Sequence, residues 1–137
     1  MGQYKLQADT ERLRQFLPSF ENGGFAFIAE VPETMQVCGY ALCISMMNSF
    51  MGGLAIQLHD IYVVEDYRGM KIGQKMMDCV IEEATRRGCL KLTLNTHELN
   101  GPARIFYEQN GFECYDGFIT RTACIKGRSL HYTKKLT

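Results

Sequence analysis

HDIYVVEDYRGMKIGQKMM, residues 59–77, decides how the chain is built. Ile61, Tyr62, Val63 and Val64 are β-branched or aromatic and read as the end of a strand. Residues 68–73 carry Gly69 and Gly73 and read as a loop. Beyond them Ile72, Met76, Met77, Val80, Ile81 and Ala84 recur at helical spacing until Arg86, Arg87 and Gly88 close the helix. A strand that feeds a loop and then a helix N-terminus presents unpaired backbone N–H groups and a positive dipole end, which can hold phosphates. Gly69 and Gly73 let the backbone come close to such a group, and Arg68 and Lys71 supply charge. No GK[ST] follows, so the Walker pattern is excluded. By themselves, two glycines before a helix fit a tight strand-to-helix turn equally well.

Working outward, the spacing of Leu13, Phe16 and Leu17 behind Asp9 or Thr10 predicts a short amphipathic helix over 9–17, ended by Pro18. Strands are predicted over 25–31 and 37–47 with a hairpin turn at Pro32-Glu33-Thr34, and over 54–64 after Gly52-Gly53. The alternating KLTLNT segment predicts a strand over 90–96. Asn100-Gly101-Pro102 opens a second helix, with Pro102 near the first turn where its missing N–H costs nothing, and Asn110-Gly111 ends it. Two further strands, 112–119 and 129–135, flank a polar loop over 121–128. This order of elements indicates an α/β fold on a mixed sheet.

The 137 residues suit one domain, 1–137, with a single core and a cleft. Fifteen Lys plus Arg balance fifteen Asp plus Glu, so no global field recruits nucleic acid or an anionic membrane, and neither is expected as a partner. The apolar runs are short and the N-terminal stretch lacks the pattern of a secretion signal, which predicts a soluble, cytoplasmic protein. Cysteines at 38, 43, 79, 89, 114 and 124 form no CxxC pair and have no histidine at finger-like spacing, so no metal is expected. They read as reduced packing residues, as in YALCISMM and MMDCVI.

The second informative segment is LNGPARIFYEQNGFE, residues 99–113, in which Ala103, Phe106 and Tyr107 share a helix face or its edge with Asn100 near the start. Strand, YRGxxxG loop, helix, strand and then N-x-x-A-x-x-FYEQxGF together resemble the GNAT superfamily of N-acetyltransferases over residues 54–113. That resemblance implies a GNAT-like fold: a central, mostly antiparallel, twisted sheet with a splayed strand pair and flanking helices. It also implies acetyl-CoA as co-substrate, without a metal. Arg68, Gly69, Met70, Lys71, Ile72 and Gly73 match the family loop [RQ]-x-x-G-x-[GA] that grips the pyrophosphate of coenzyme A. Lys71 stands where glycine is usual, a change that preserves backbone N–H donation if its φ is negative. Ile61, Tyr62, Val63 and Val64 match the strand whose exposed backbone pairs with the pantetheine arm, and Asn100 and Phe106 fall on positions that line it.

Tyr107 matches the family tyrosine that protonates the departing thiolate, a task suited to a phenol near pKa 10 because the thiolate is comparably basic. A core tyrosine with a satisfied hydroxyl is the plainer reading of the same residue. Direct transfer needs an uncharged amine, and Asp60 is the candidate base at a strand position where relatives carry an acid. His59 points to the opposite face of an unbulged strand, so one of the two is expected to reach the cleft. His97 and Glu98 are reserve bases, and His131 reads as structural or surface. Some relatives carry a catalytic glutamate where this chain has Asn95, which disfavours that subtype of peptide N-terminal acetylase. The implied function is acetyl transfer to a primary amine, with a small molecule preferred. The alternative is a non-catalytic acyl-CoA-binding or regulatory module. The short region before the first strong strand and the apolar run SMMNSFMGG raise the expectation of a homodimer.

Overall fold

The structure, a computed structural model, describes residues 23–48, 53–120 and 129–136. The helix expected over 9–17 and the loop expected over 121–128 lie outside the described residues. The apolar and β-branched runs form β1 (Gly24–Glu30), β2 (Val37–Asn48), β3 (Gly53–Val63), β4 (Lys91–His97), β5 (Glu113–Thr120) and β6 (Ser129–Lys135). Between them stand α1 (Ile72–Arg86) and α2 (Gly101–Gln109), and a 3-10 turn at Glu65–Tyr67 that the sequence reading did not anticipate. The strands make one sheet in the order β1-β2-β3-β4-β6-β5.

Four neighbouring pairs are antiparallel and β3–β4 is parallel, which gives the mixed α/β sheet expected. The parallel pair is short. Ala55, Ile56 and Gln57 pair with Lys91, Leu92 and Thr93, and beyond Gln57 the two strands part. β3 continues against β2 to Val63, while β4 continues against β6 to His97. The sheet thus opens as a V at its centre, with one edge of β3 released from its ladder.

The apolar spacing read in residues 72–84 buries Met76, Met77, Val80 and Ala84 of α1. They pack with Ala41, Cys43, Ile56, Leu58, Leu92, Leu94, Phe112 and Tyr132 in one core cluster. Gly39 shows how closely the helix lies: a Cβ there would stand 2.9 Å from the Tyr62 carbonyl oxygen and 3.0 Å from Met76 Cε. Glu83 accepts from Arg86 and Arg87 one turn on, and the two guanidinium groups hold its carboxyl down to about 2. Gly88, at φ 73, ends the helix as the sequence indicated.

Cys38, Cys43 and Cys89 are buried and free, and burial pushes the Cys43 thiol up to about 12. Cys79 departs from the packing reading: it is exposed, because Met76, Met77 and Val80 take the buried face around it. Leu92, at 0% exposure, sits in the middle of the three pairings of the parallel strands. Leu92→Ala is expected to cost about 2–5 kcal/mol, read as a lower denaturant midpoint at unchanged slope.

Candidate active site

The two helices begin differently, and the difference marks the site. α2 caps itself: Asn100 Oδ1 accepts from the Ala103 N–H at 3.4 Å and Pro102 occupies the first turn. α1 starts at Lys71 with no side-chain cap and no acid in its first turn. Its first N–H groups therefore stay available at the positive end of a 15-residue helix. Gly69 and Lys71 both adopt positive φ, 82° and 61°. The condition of a negative φ at Lys71 is therefore not met. The lysine occupies a left-handed position where glycine is at home, and such residues next to right-handed ones turn successive N–H groups toward a common concavity. A Cβ built on Gly73 would meet only Val63 Cγ2, at 3.7 Å, so the space over this turn is open.

Arg68 follows a course the sequence did not reveal. Its Nε donates to the Val63 carbonyl at 2.9 Å, and its guanidinium carbon lies 5.5 Å from the Tyr62 ring centroid. The side chain turns back over the end of β3 and ties the loop to the strand. Met70 and Lys71 are exposed. Ile61 and Val63 pack against the core, and Tyr62 points to the opposite face beside Tyr40, with ring centroids 5.8 Å apart.

β3 is bulged against β2: Leu42 pairs with Asp60 and Cys43 with Leu58, which leaves His59 as the extra residue. The alternation assumed for an unbulged strand is therefore interrupted at this point, and both His59 and Asp60 are exposed. On the regular side of the bulge Asp60 shares a face with Tyr62 and with Tyr62's partner Tyr40. Asp60 Oδ2 accepts from the Tyr40 hydroxyl at 2.6 Å. Burial and then the Asp60 carboxylate raise the Tyr40 phenol well above the ordinary tyrosine value.

Tyr107, on α2, reaches the same neighbourhood from the other side. Its phenol is raised by burial and then by the negative charge of Asp60, which places the two within electrostatic range. Its ring stands against Phe106, Phe112 and Tyr132 at centroid distances of 5.6, 6.0 and 6.2 Å. Its hydroxyl has no hydrogen-bond partner among the described residues.

The helix that carries Tyr107 is braced at both ends. Tyr132 of β6, fully buried, donates to Glu108 Oε1 at 3.0 Å and accepts from Arg104 Nε at 3.1 Å, and Arg104 also donates to the Glu98 carbonyl at 3.2 Å. At the other end Gln74 and Asn110 exchange amide hydrogen bonds of 2.7 and 3.1 Å, joining the first turn of α1 to the end of α2. The uncapped start of α1 and the phenol are therefore held by one frame. Sequence reasoning missed this frame and Tyr40; the i, i+4 pair Arg104 and Glu108 is the one local signal that could have pointed to it.

The other two histidines, His97 as a reserve base and His131 as a structural or surface residue, both have partners. His97 Nδ1 accepts from the Leu99 N–H at 3.1 Å and serves the turn into α2. His131 Nδ1 lies 2.8 Å from Asn95 Oδ1 in a cross-strand pair of β4 and β6, and burial, then Lys91, lowers its pKa. Among the described residues no group of His, Cys, Asp and Glu could hold a metal ion, and no helix is long and apolar enough to cross a membrane.

Known proteins agree with this geometry. Residues 2–112 match the family model described as acetyltransferase (GNAT) family. The chain is 27% identical over 116 residues to the uncharacterized N-acetyltransferase YhfO of Bacillus subtilis (strain 168), covering 85% of this chain and 78% of the relative. It is 36% identical over 80 residues to the thialysine N-epsilon-acetyltransferase of Bos taurus, a match that spans 58% of this chain and 46% of that protein. Among solved structures, a chain of the NatC complex bound to Gag peptide and CoA superposes with a TM-score of 0.77 at 22% identity, over 95% of this chain and 81% of that one. With the family model matched over most of its length, this chain is a member of the acetyltransferase (GNAT) family, an N-acetyltransferase with acetyl-CoA as co-substrate.

Proposed function

We propose that the chain transfers the acetyl group directly from acetyl-CoA to a primary amine of a small molecule, with Asp60 as base and Tyr107 as acid. One observation carries the reading: the Tyr107 hydroxyl, unbonded among the described residues, lies within the electrostatic reach of Asp60 where β3 leaves β4. The residues fit the co-substrate. The uncapped start of α1 and the backbone of Arg68, Gly69, Met70, Lys71, Ile72 and Gly73 offer donors to a pyrophosphate, and the open edge of β3 at Ile61, Tyr62, Val63 and Val64 offers a ladder to an amide-bearing arm. Phe106 flanks that arm from α2. Asn100 lines the same arm at the start of that helix, where its Oδ1 also accepts from the Ala103 N–H.

In this scheme Asp60 takes a proton from the amine, directly or through water, so that the nitrogen attacks with a free lone pair. Tyr107 then gives its proton to the departing thiolate, and its raised pKa keeps it protonated up to that moment. The relatives named for thialysine favour a small amine over a protein as acceptor. One domain over 1–137, a cytoplasmic location and a homodimer belong to the same proposal, the last supported by the apolar run SMMNSFMGG.

The test is calorimetric titration with acetyl-CoA followed by a thiol-release screen over a panel of amines. Binding with release of free coenzyme A for a small amine is the expected result, and the panel then names the acceptor class. Binding without release for any amine would favour a regulatory acyl-CoA-binding module.

A further inference from the structure

We infer that Tyr40 is a positioning residue for Asp60: its phenol holds one carboxylate oxygen in place and leaves the other to the incoming amine. The inference rests on the reading of Asp60 as the base. Tyr40 is 7% exposed, on β2, and its hydroxyl reaches across the strands to Asp60 Oδ2 at 2.6 Å, a distance typical of a strong O–H···O⁻ bond. Its backbone partner in the register is Tyr62, while Asp60 pairs with Leu42, so the contact is a diagonal one on a single face of the sheet. The register that makes this diagonal runs unbroken from Gly39–Val63 to Leu42–Asp60, and the bulge at His59 follows directly after it.

The bond has one direction. A carboxylate only accepts, so the phenol must donate, and a buried phenol without a partner would carry a desolvation cost that Asp60 removes. Tyr40 remains a donor throughout the neutral range, because burial and the carboxylate both disfavour its ionisation. An exposed aspartate otherwise samples several rotamers, and holding Oδ2 selects one of them. Oδ1 has no hydrogen-bond partner among the described residues, so it is the oxygen that accepts the amine proton. The N–H bond breaks, the O–H bond forms on Oδ1, and the electron pair stays on nitrogen. Tyr40 transfers no proton. Its ring also abuts Tyr62, which Arg68 covers, so the aspartate is tied through two rings to the glycine loop.

The experiment is a double-mutant cycle with Tyr40→Phe, Asp60→Asn and the pair, reading kcat and KM for the best amine, acetyl-CoA Kd and melting temperature. Asp60→Asn is expected to lower kcat about 100-fold, the range of a lost general base. Tyr40→Phe should lower kcat about tenfold with acetyl-CoA Kd unchanged within about twofold, and in the Asp60→Asn background it should lower kcat less than about twofold, because nothing remains to position. Equal factors in both backgrounds, or an unchanged kcat in Tyr40→Phe, would overturn the positioning role while leaving Asp60 as base. Full turnover in Asp60→Asn would instead remove the base reading on which the inference stands.

Discussion

Tyr107→Phe is expected to lower turnover by about 100-fold, equivalent to about 3 kcal/mol of transition-state stabilisation, while acetyl-CoA binds as before. The substitution removes one hydroxyl and keeps the ring contacts to Phe106, Phe112 and Tyr132, so the braced end of α2 keeps its packing. No described residue loses a hydrogen bond with it, and melting temperature should move little. The pH dependence gives a second readout. The active form of the acid is protonated, and burial together with Asp60 raises the phenol above the ordinary tyrosine value. Activity that depends on Tyr107 therefore persists to higher pH than an ordinary tyrosine would allow before it falls. That fall should be absent from the residual activity of the phenylalanine variant. Parallel losses in kcat and acetyl-CoA affinity would assign Tyr107 to binding and remove it from proton transfer.

What local chemistry dictates was legible in the chain. The helix over Ile72–Arg86 follows from apolar residues at helical spacing and a glycine stop, and the strands from β-branched and aromatic runs between turn residues. Pro102 and Asn100 announced the start of α2, and both serve there as expected. The site was legible only where one segment carried it whole, as residues 59–77 do. Asp60 and Tyr107 came from family positions; neither residue type announces proton transfer by itself.

The remainder depends on pairing between distant segments, which no local pattern encodes. Tyr40 meets Asp60 because β2 and β3 share a register that sets Tyr40 opposite Tyr62 and Leu42 opposite Asp60, and no local pattern in either strand specifies that register. Tyr132 meets Arg104 and Glu108 across 28 and 24 residues of chain, and His131 meets Asn95 across 36. Lys71 is a different case: a left-handed lysine is uncommon, and its conformation is set by the turn that must connect Gly69 to the helix. Its strain is offset by aiming backbone donors where a bare helix end already points.

Gly73→Val isolates the loop from the rest of the protein. A side chain there would find Val63 Cγ2 at 3.7 Å, an ordinary contact, and would otherwise enter open space over the first turn of α1. Glycine is among the poorest helix formers, so valine at this position should leave stability within about 1 kcal/mol of the parent. The same branched side chain stands over N–H groups that no side chain caps. If those groups hold the pyrophosphate, acetyl-CoA affinity should fall at least tenfold, about 1.4 kcal/mol or more, with the apparent KM for acetyl-CoA rising and kcat at saturation largely kept. Gly73→Ala should lie between the two. Gly69→Ala provides the contrasting control: its added Cβ meets nothing within 4 Å, but φ is 82°, so it should act by straining the turn and lower stability as well as affinity. Calorimetry and thermal melts of the three variants separate the two causes. A Gly73→Val protein that melts normally and binds acetyl-CoA with the parent's affinity would move the pyrophosphate away from this loop.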